Sequence, residues 1–191
     1  FNVQKFFKYG KFSGQSLEKL KGVREGVERD PDKKHPADFR LWQLNQPHHV
    51  LQWDSPWGKG YPGWHIECSA MSIKYLGETF DIHTGGQDHI NIHHQNEIAQ
   101  SEAATGKPFV NYWLHSAFMQ IDKTKMSKSL KNIYTLSDLE KKGYSPLAYR
   151  YLLLTTHYRS ELNFSWDNLD VAQKTLEKWN EFISRLQKYE S

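Results

Sequence analysis

The chain has 191 residues, 38% hydrophobic and 25% charged, with 25 Lys and Arg against 22 Asp and Glu for a net charge of +3. A mean hydropathy of −0.78 and the lack of any long apolar run argue against a membrane span or a secretory leader, and a single cysteine, Cys68, excludes an internal disulfide framework. This length supports one substantial core, or one domain with pieces of another, and the cysteine usage fits a reducing compartment, the cytoplasm by default.

The chain starts at Phe1 with neither Met nor a targeting signature, which reads as an excerpt of a longer protein. Its first stretch is polar, with a helical candidate from Ser16 to Lys21 and a breaker at Asp30-Pro31, as in an insertion. Phe39-Arg40-Leu41-Trp42 is predicted as a short strand, and residues 46–63, punctuated by Pro, Gly and aromatic residues, as an ordered but irregular loop. Ile66, Ala70, Ile73 and Leu76 then recur at helical spacing before Gly77, so residues 65–76 are predicted to form a helix that carries Cys68.

Residues 80–83 follow as a strand that ends in Thr84-Gly85-Gly86-Gln87-Asp88, a strand-to-helix turn whose glycines let the backbone approach a ligand. Residues 93–104 make a second helix closed by Gly106. Residues 110–121 read as one strand near the core, feeding the polar loop 122–132, which holds Lys123, Lys125, Lys128 and Lys131. Beyond it Thr135 caps a short helix ending near Gly143, Ser145-Pro146 opens a buried helix through Leu154, and Asn168 opens an amphipathic helix toward Tyr189.

Two clusters carry chemistry. Zinc accepts thiolate, imidazole and carboxylate together, and His93 and Glu97 stand at i and i+4, where one helical face would aim both at one point, so with Cys68 they look like most of a zinc site. The plainer reading is a small buried thiol beside a solvated helix face, and His94, at i and i+3 from Glu97, is an alternative ligand that spacing does not exclude. In Lys125-Met126-Ser127-Lys128-Ser129, two ammonium groups three residues apart, with hydroxyls and backbone donors between, suit a polyphosphate whose charge grows as it leaves. A second basic cluster, Lys19, Lys21 and Arg24, reads as a solvated face. Seven Trp and 14% aromatic residues indicate a well-filled core or a pocket with rigid walls.

The unbroken KMSKS resembles the nucleotide loop of class I aminoacyl-tRNA synthetases. The segment Gly63-Trp64-His65-Ile66-Glu67-Cys68-Ser69-Ala70-Met71, then HHQNEIAQSEAATGK, then NYWLHSAFMQIDKTKMSKSL, are similar in order to the cysteinyl-tRNA synthetases, as is the earlier run from Lys33 to Trp42. The likeness covers almost the whole chain and is strongest over residues 57–130. It implies an α/β fold: the second half of a Rossmann-like nucleotide-binding domain with parallel strands and flanking helices, followed by a helical stem-contact region. Residues 1–56 would be the end of a connecting insertion, 57–134 the half-domain with the zinc site and KMSKS loop, and 135–191 the stem-contact region and the start of a helical extension.

The resemblance also assigns roles. Cys68, His93 and Glu97 match three zinc ligands, one zinc per subunit, with a fourth ligand, a cysteine, expected from outside this chain. Gly85, Gly86 and Asp88 match the site for ATP, Trp64 a side chain that closes over the substrate cysteine, and Lys128 with Lys125 the catalytic lysines facing pyrophosphate. Magnesium would accompany the ATP, tRNA(Cys) would be the partner, and no membrane is implied. The family's HIGH-type tetrapeptide is absent, since His83-Thr84-Gly85-Gly86 is no substitute, and its LMFP stretch reads His89-Ile90-Asn91-Ile92 here. The implied activity is ATP-dependent activation of cysteine and transfer to tRNA, with a soft zinc separating thiol from hydroxyl substrates. Rival readings are a related ligase joining cysteine to an amino-sugar, and a zinc- and nucleotide-binding fragment without turnover.

Overall fold

The chain divides into two units, Phe1–Leu114 and His115–Ser191. The computed structural model describes residues 1–18, 33–44, 47–126 and 132–189. The basic cluster at Lys19, Lys21 and Arg24, the Asp30-Pro31 breaker, and Lys128 and Lys131 therefore lie outside the described residues, as does the end of the helical candidate that begins at Ser16.

In the first unit, β1 (Trp42–Leu44) pairs antiparallel with β2 (Gly60–Pro62), Gln43 standing opposite Tyr61. The strand thus begins at the last residue of the predicted one, and the predicted loop returns to pair with it. Gly60 makes that return possible, because a side chain there would collide with the Gln43 carbonyl and lie 2.8 Å from Trp42 Nε1. Then come α1 (Trp64–Leu76), β3 (Phe80–Gly86), α2 (His93–Thr105) and β4 (Val110–Ser116), with β3 and β4 forming a two-stranded sheet.

Both helices end as their glycines dictate: Gly77 has φ 97° and Gly106 φ 72°, conformations in which a Cβ is strained. The strand β3 runs on through Thr84, Gly85 and Gly86, and the turn falls one step later as a 3₁₀ turn, Gln87–His89. Gly86 is extended, with φ −74° and ψ 156°, so this pair is not a tight turn. Gly85 instead provides room, since a Cβ there would meet the His94 Cε1 at 2.5 Å and the His89 Nδ1 at 2.8 Å.

Helix α2 is unusual in what it buries. His93, His94, Gln95, Asn96, Glu97, Gln100 and Ser101 are all buried, although polar side chains normally enter an interior only when partnered. Most are partnered. Asn96 Oδ1 accepts from Tyr9 Oη at 2.5 Å and Gln95 Oε1 from the Ser13 amide at 3.3 Å, which ties the N-terminal segment to the helix. Against α1, Gln100 Nε2 donates to the His65 carbonyl and to Ser69 Oγ, and Ser101 Oγ to Ser69 Oγ at 2.9 Å, the small serines letting the helices approach.

The second unit has its own core of Ile121, Leu139, Ala148, Leu152, Phe164, Leu169 and Ala172. Its sheet, in the order β6-β5-β7, joins β5 (Met119–Ile121) antiparallel to β6 (Thr124–Lys125) and parallel to β7 (Leu162–Phe164). Asp122 and Lys123, at φ 48° and 61°, form the two-residue hairpin turn that the twist of such strands favours. Residues 110–121 are thus two strands: at Ala117 the amide turns to the Tyr158 carbonyl at 2.8 Å, and β5 takes β7 as its partner.

Helices α3 (Leu136–Lys141), α4 (Pro146–Leu154) and α5 (Trp166–Tyr189) complete this unit. Thr135 and Asp138 form a reciprocal capping box on α3, and Ser145 Oγ accepts from the Leu147 amide at 3.1 Å, with Pro146 at the first turn of α4. The mixed α/β character and the helical C-terminal third agree with the expected fold class.

Candidate metal centre and nucleotide loop

Two elements build the centre. Cys68 sits on α1 one turn after Trp64, and His93, His94 and Glu97 line the first turn of α2. The α1·α2 packing through Ser69, Gln100 and Ser101 brings these turns together, so that the Cys68 Sγ, a His93 nitrogen and a Glu97 oxygen lie within 4.8 Å of one another. The same distance holds for a second group, His83, His94 and Glu97, with His83 contributed by β3.

Glu97 is the hub, and it is fully buried. Its Oε2 accepts from His83 Nε2 at 2.9 Å and lies 3.9 Å from His94 Nε2. Its Oε1 stands 3.4 Å from His93 Nε2 and has no hydrogen-bond partner among the described residues. Burial pushes this carboxyl up, but His83 and His93 more than offset that and hold it at about 2, so it is a carboxylate.

The surrounding groups fit a cation. In the absence of one, burial and then the Glu97 carboxylate push the Cys68 thiol up to about 11, the cost of placing two anionic ligands side by side. A divalent ion inverts that relationship. Burial and the adjacent His93 push His65 down to about 4, and its Nδ1 lies 3.0 Å from His93 Nδ1. An orphaned buried carboxylate oxygen, a thiol and an imidazole are the donors that zinc takes, and they number three.

Trp64 is 62% exposed at the start of α1, its ring centroid 4.8 Å from that of His93. Trp64 is therefore a surface side chain and not a core residue. Asp88 is exposed on the 3₁₀ turn after β3, and a Cβ on Gly86 would meet its carboxylate. The open side of Gly85 is filled by the His94 and His89 imidazoles. His83, His65 and His89 escaped the sequence reading as site residues. The signal available for His65 was its place in the Trp64-to-Met71 segment, and for His83 its place at the end of a strand leading to the glycines.

The lysine loop belongs to the second unit. Lys125 ends β6, and Met126 packs against the core of Ile121, Leu139 and Phe164, which anchors the start of the loop. Lys128 lies outside the described residues.

Residues 1–174 match the family described as tRNA synthetases class I (C) catalytic domain. Curated relatives include the cysteine–tRNA ligases of Treponema denticola, 52% identical over 97% of this chain and 38% of the relative, and of Geotalea daltonii, 56% identical over 93% and 35%. That of Thermodesulfovibrio yellowstonii is 53% identical over 100% of this chain and 38% of its own length. The chain therefore spans little more than a third of these relatives. Among solved structures, a LeuRS of Agrobacterium radiobacter K84, in a ternary complex with tRNA and LeuAMS, superposes with a TM-score of 0.55. At 14% identity over 71% of this chain and 21% of that one, this is a likeness of fold.

Proposed function

The chain belongs to the cysteinyl-tRNA synthetase family of class I, and from that premise we propose that it supplies the zinc-binding and lysine-loop portion of an enzyme that activates cysteine with ATP and transfers it to tRNA(Cys). Cys68, His93 and Glu97 hold one zinc per subunit, with a fourth ligand from residues beyond this chain. When bound, zinc supplies a soft Lewis-acidic site that takes the substrate thiolate and binds a serine hydroxyl weakly.

The chain's own residues then have separable tasks. Trp64 forms a rigid wall over the amino acid. Gly85, Gly86 and Asp88 receive the adenosine, with the exposed Asp88 carboxylate accepting from ribose hydroxyls. Activation joins the cysteine carboxylate to the α-phosphate and releases pyrophosphate with magnesium, and Lys128 and Lys125 compensate the charge that gathers on that leaving group. The protein's contribution is placement and charge. This reading implies residence in the cytoplasm, where protein synthesis takes place, and no helix among the described residues is long and apolar enough to cross a membrane.

The observation that carries the reading is the convergence of Cys68, His93 and Glu97 around an unpartnered Glu97 oxygen in a chain of this family. Cysteine-dependent ATP–pyrophosphate exchange by the full-length protein tests it. Exchange that Cys68→Ser abolishes together with stoichiometric zinc is the expected result, and zinc-loaded protein without any exchange overturns the enzymatic assignment.

A further inference from the structure

Glu97 shows its two oxygens to different neighbours. Oε2 is held at 2.9 Å by His83 Nε2, whereas Oε1, unpartnered among the described residues, faces His93 Nε2 at 3.4 Å. Two ligand atoms on one tetrahedral zinc, each about 2.0–2.1 Å from the metal, stand about 3.3–3.4 Å apart. The Oε1 to His93 separation fits that edge. The Oε2 to His83 separation is too short for it and is an ordinary charge-assisted hydrogen bond.

We infer that His83 is a positioning residue of the metal centre, donating its Nε2–H to Glu97 Oε2 so that Oε1 alone is presented beside Cys68 and His93. The inference rests on the zinc-site reading above. A carboxylate on a helix rotates about its terminal torsion with little resistance, and a fixed donor on one oxygen removes that freedom. His83 is itself fixed: its ring packs against Phe80, His94 and Trp113, with centroids 5.5, 4.8 and 4.9 Å away. A carboxylate oxygen can only accept, so in the 2.9 Å contact with Glu97 Oε2 the proton lies on His83 Nε2. His83, His94 and Glu97 are also close enough to hold an ion of their own, and the test separates that outcome.

The test uses zinc itself on the full chain, measured by competition with a chromophoric chelator, and the visible spectrum of the cobalt(II) form. In His83→Gln the amide nitrogen reaches the place of Nε2, and in His83→Asn it falls one methylene short. Glutamine is expected to keep zinc affinity within about threefold and the cobalt bands in place, and asparagine to weaken affinity roughly 10–100-fold and shift them. One zinc per chain with equal affinity in wild type and His83→Asn overturns the inference while leaving the zinc site intact. Two zinc ions per chain, one lost in His83→Asn, overturns it by making His83 a ligand. A wild-type chain that takes up no zinc overturns the site reading with it. Should His83→Asn not fold, a folded His83→Gln that has lost affinity overturns the inference alone.

Discussion

The Nδ1 atoms of His65 and His93 lie 3.0 Å apart, so one ring donates a proton and the other accepts it. Burial and His93 itself push His65 down to about 4, which leaves its ring neutral at pH 7. A ligating His93 needs a bare Nε2 toward Glu97 Oε1, and its proton then belongs on Nδ1, donated to His65. In the proposed zinc site the orientation of His93 is thus set from α1 and that of Glu97 from β3.

His65→Phe retains the ring volume and the contacts with Trp64 and Phe39 but removes the acceptor. Zinc affinity is expected to fall about 10-fold or more, with the far-UV circular dichroism unchanged. Chelator competition at fixed pH measures it, and an affinity equal to wild type contradicts the tautomer assigned to His93.

Gly85→Ala places a methyl group where the His94 Cε1 and His89 Nδ1 already stand, 2.5 and 2.8 Å away. His94 is buried and His89 half-buried, so the strand or the imidazoles must shift. Overpacking of this kind costs about 1–3 kcal/mol. Urea denaturation should report that loss together with weaker zinc uptake, because His94 adjoins Glu97. Unchanged stability would mean that the imidazoles are free to rotate away.

Helix α3 should be sensitive to acid through its cap. The Thr135 amide and then its hydroxyl, both donating to the Asp138 carboxylate, hold that carboxyl below its usual range. A group whose folded pKa is depressed stabilises above its unfolded value, and the contribution disappears as pH falls through the folded one. Thr135→Ala is expected to lower stability by about 1 kcal/mol at neutral pH. Asp138→Asn should flatten the acid limb of the stability profile of this unit, as read by Trp166 fluorescence against pH, and an unaltered limb would assign the acid sensitivity elsewhere.

Local signals made much of this fold legible. Helix α1 falls where its apolar spacing and Gly77 place it, and α2 closes at the predicted Gly106, because caps and period are written in neighbouring residues. Pairings across the chain were not legible. Nothing near Met119 announces that β5 leaves the path of β4 to join Leu162–Phe164, and nothing near Gly60 announces a strand against Gln43. The same division runs through the site. Cys68, His93 and Glu97 stand in recognisable segments, two of them on one helical face, whereas His65 and His83 matter through the nitrogen each turns to a ligand, which exists only once the helices and β3 are packed.

Lys128→Ala separates charge compensation from binding. Negative charge accumulates on the β- and γ-phosphates only as the bond to the α-phosphate breaks, so an ammonium placed there stabilises the transition state more than the bound substrates. Lys125 lies at the end of β6, and the core contacts of Met126 fix where the loop begins, so the variant should leave the fold unaltered. The expected outcome is a fall of about 10²–10³ in kcat for cysteine-dependent ATP–pyrophosphate exchange, with KM for cysteine changed little. An unchanged kcat with a raised KM for ATP would instead place Lys128 in ground-state binding of the nucleotide.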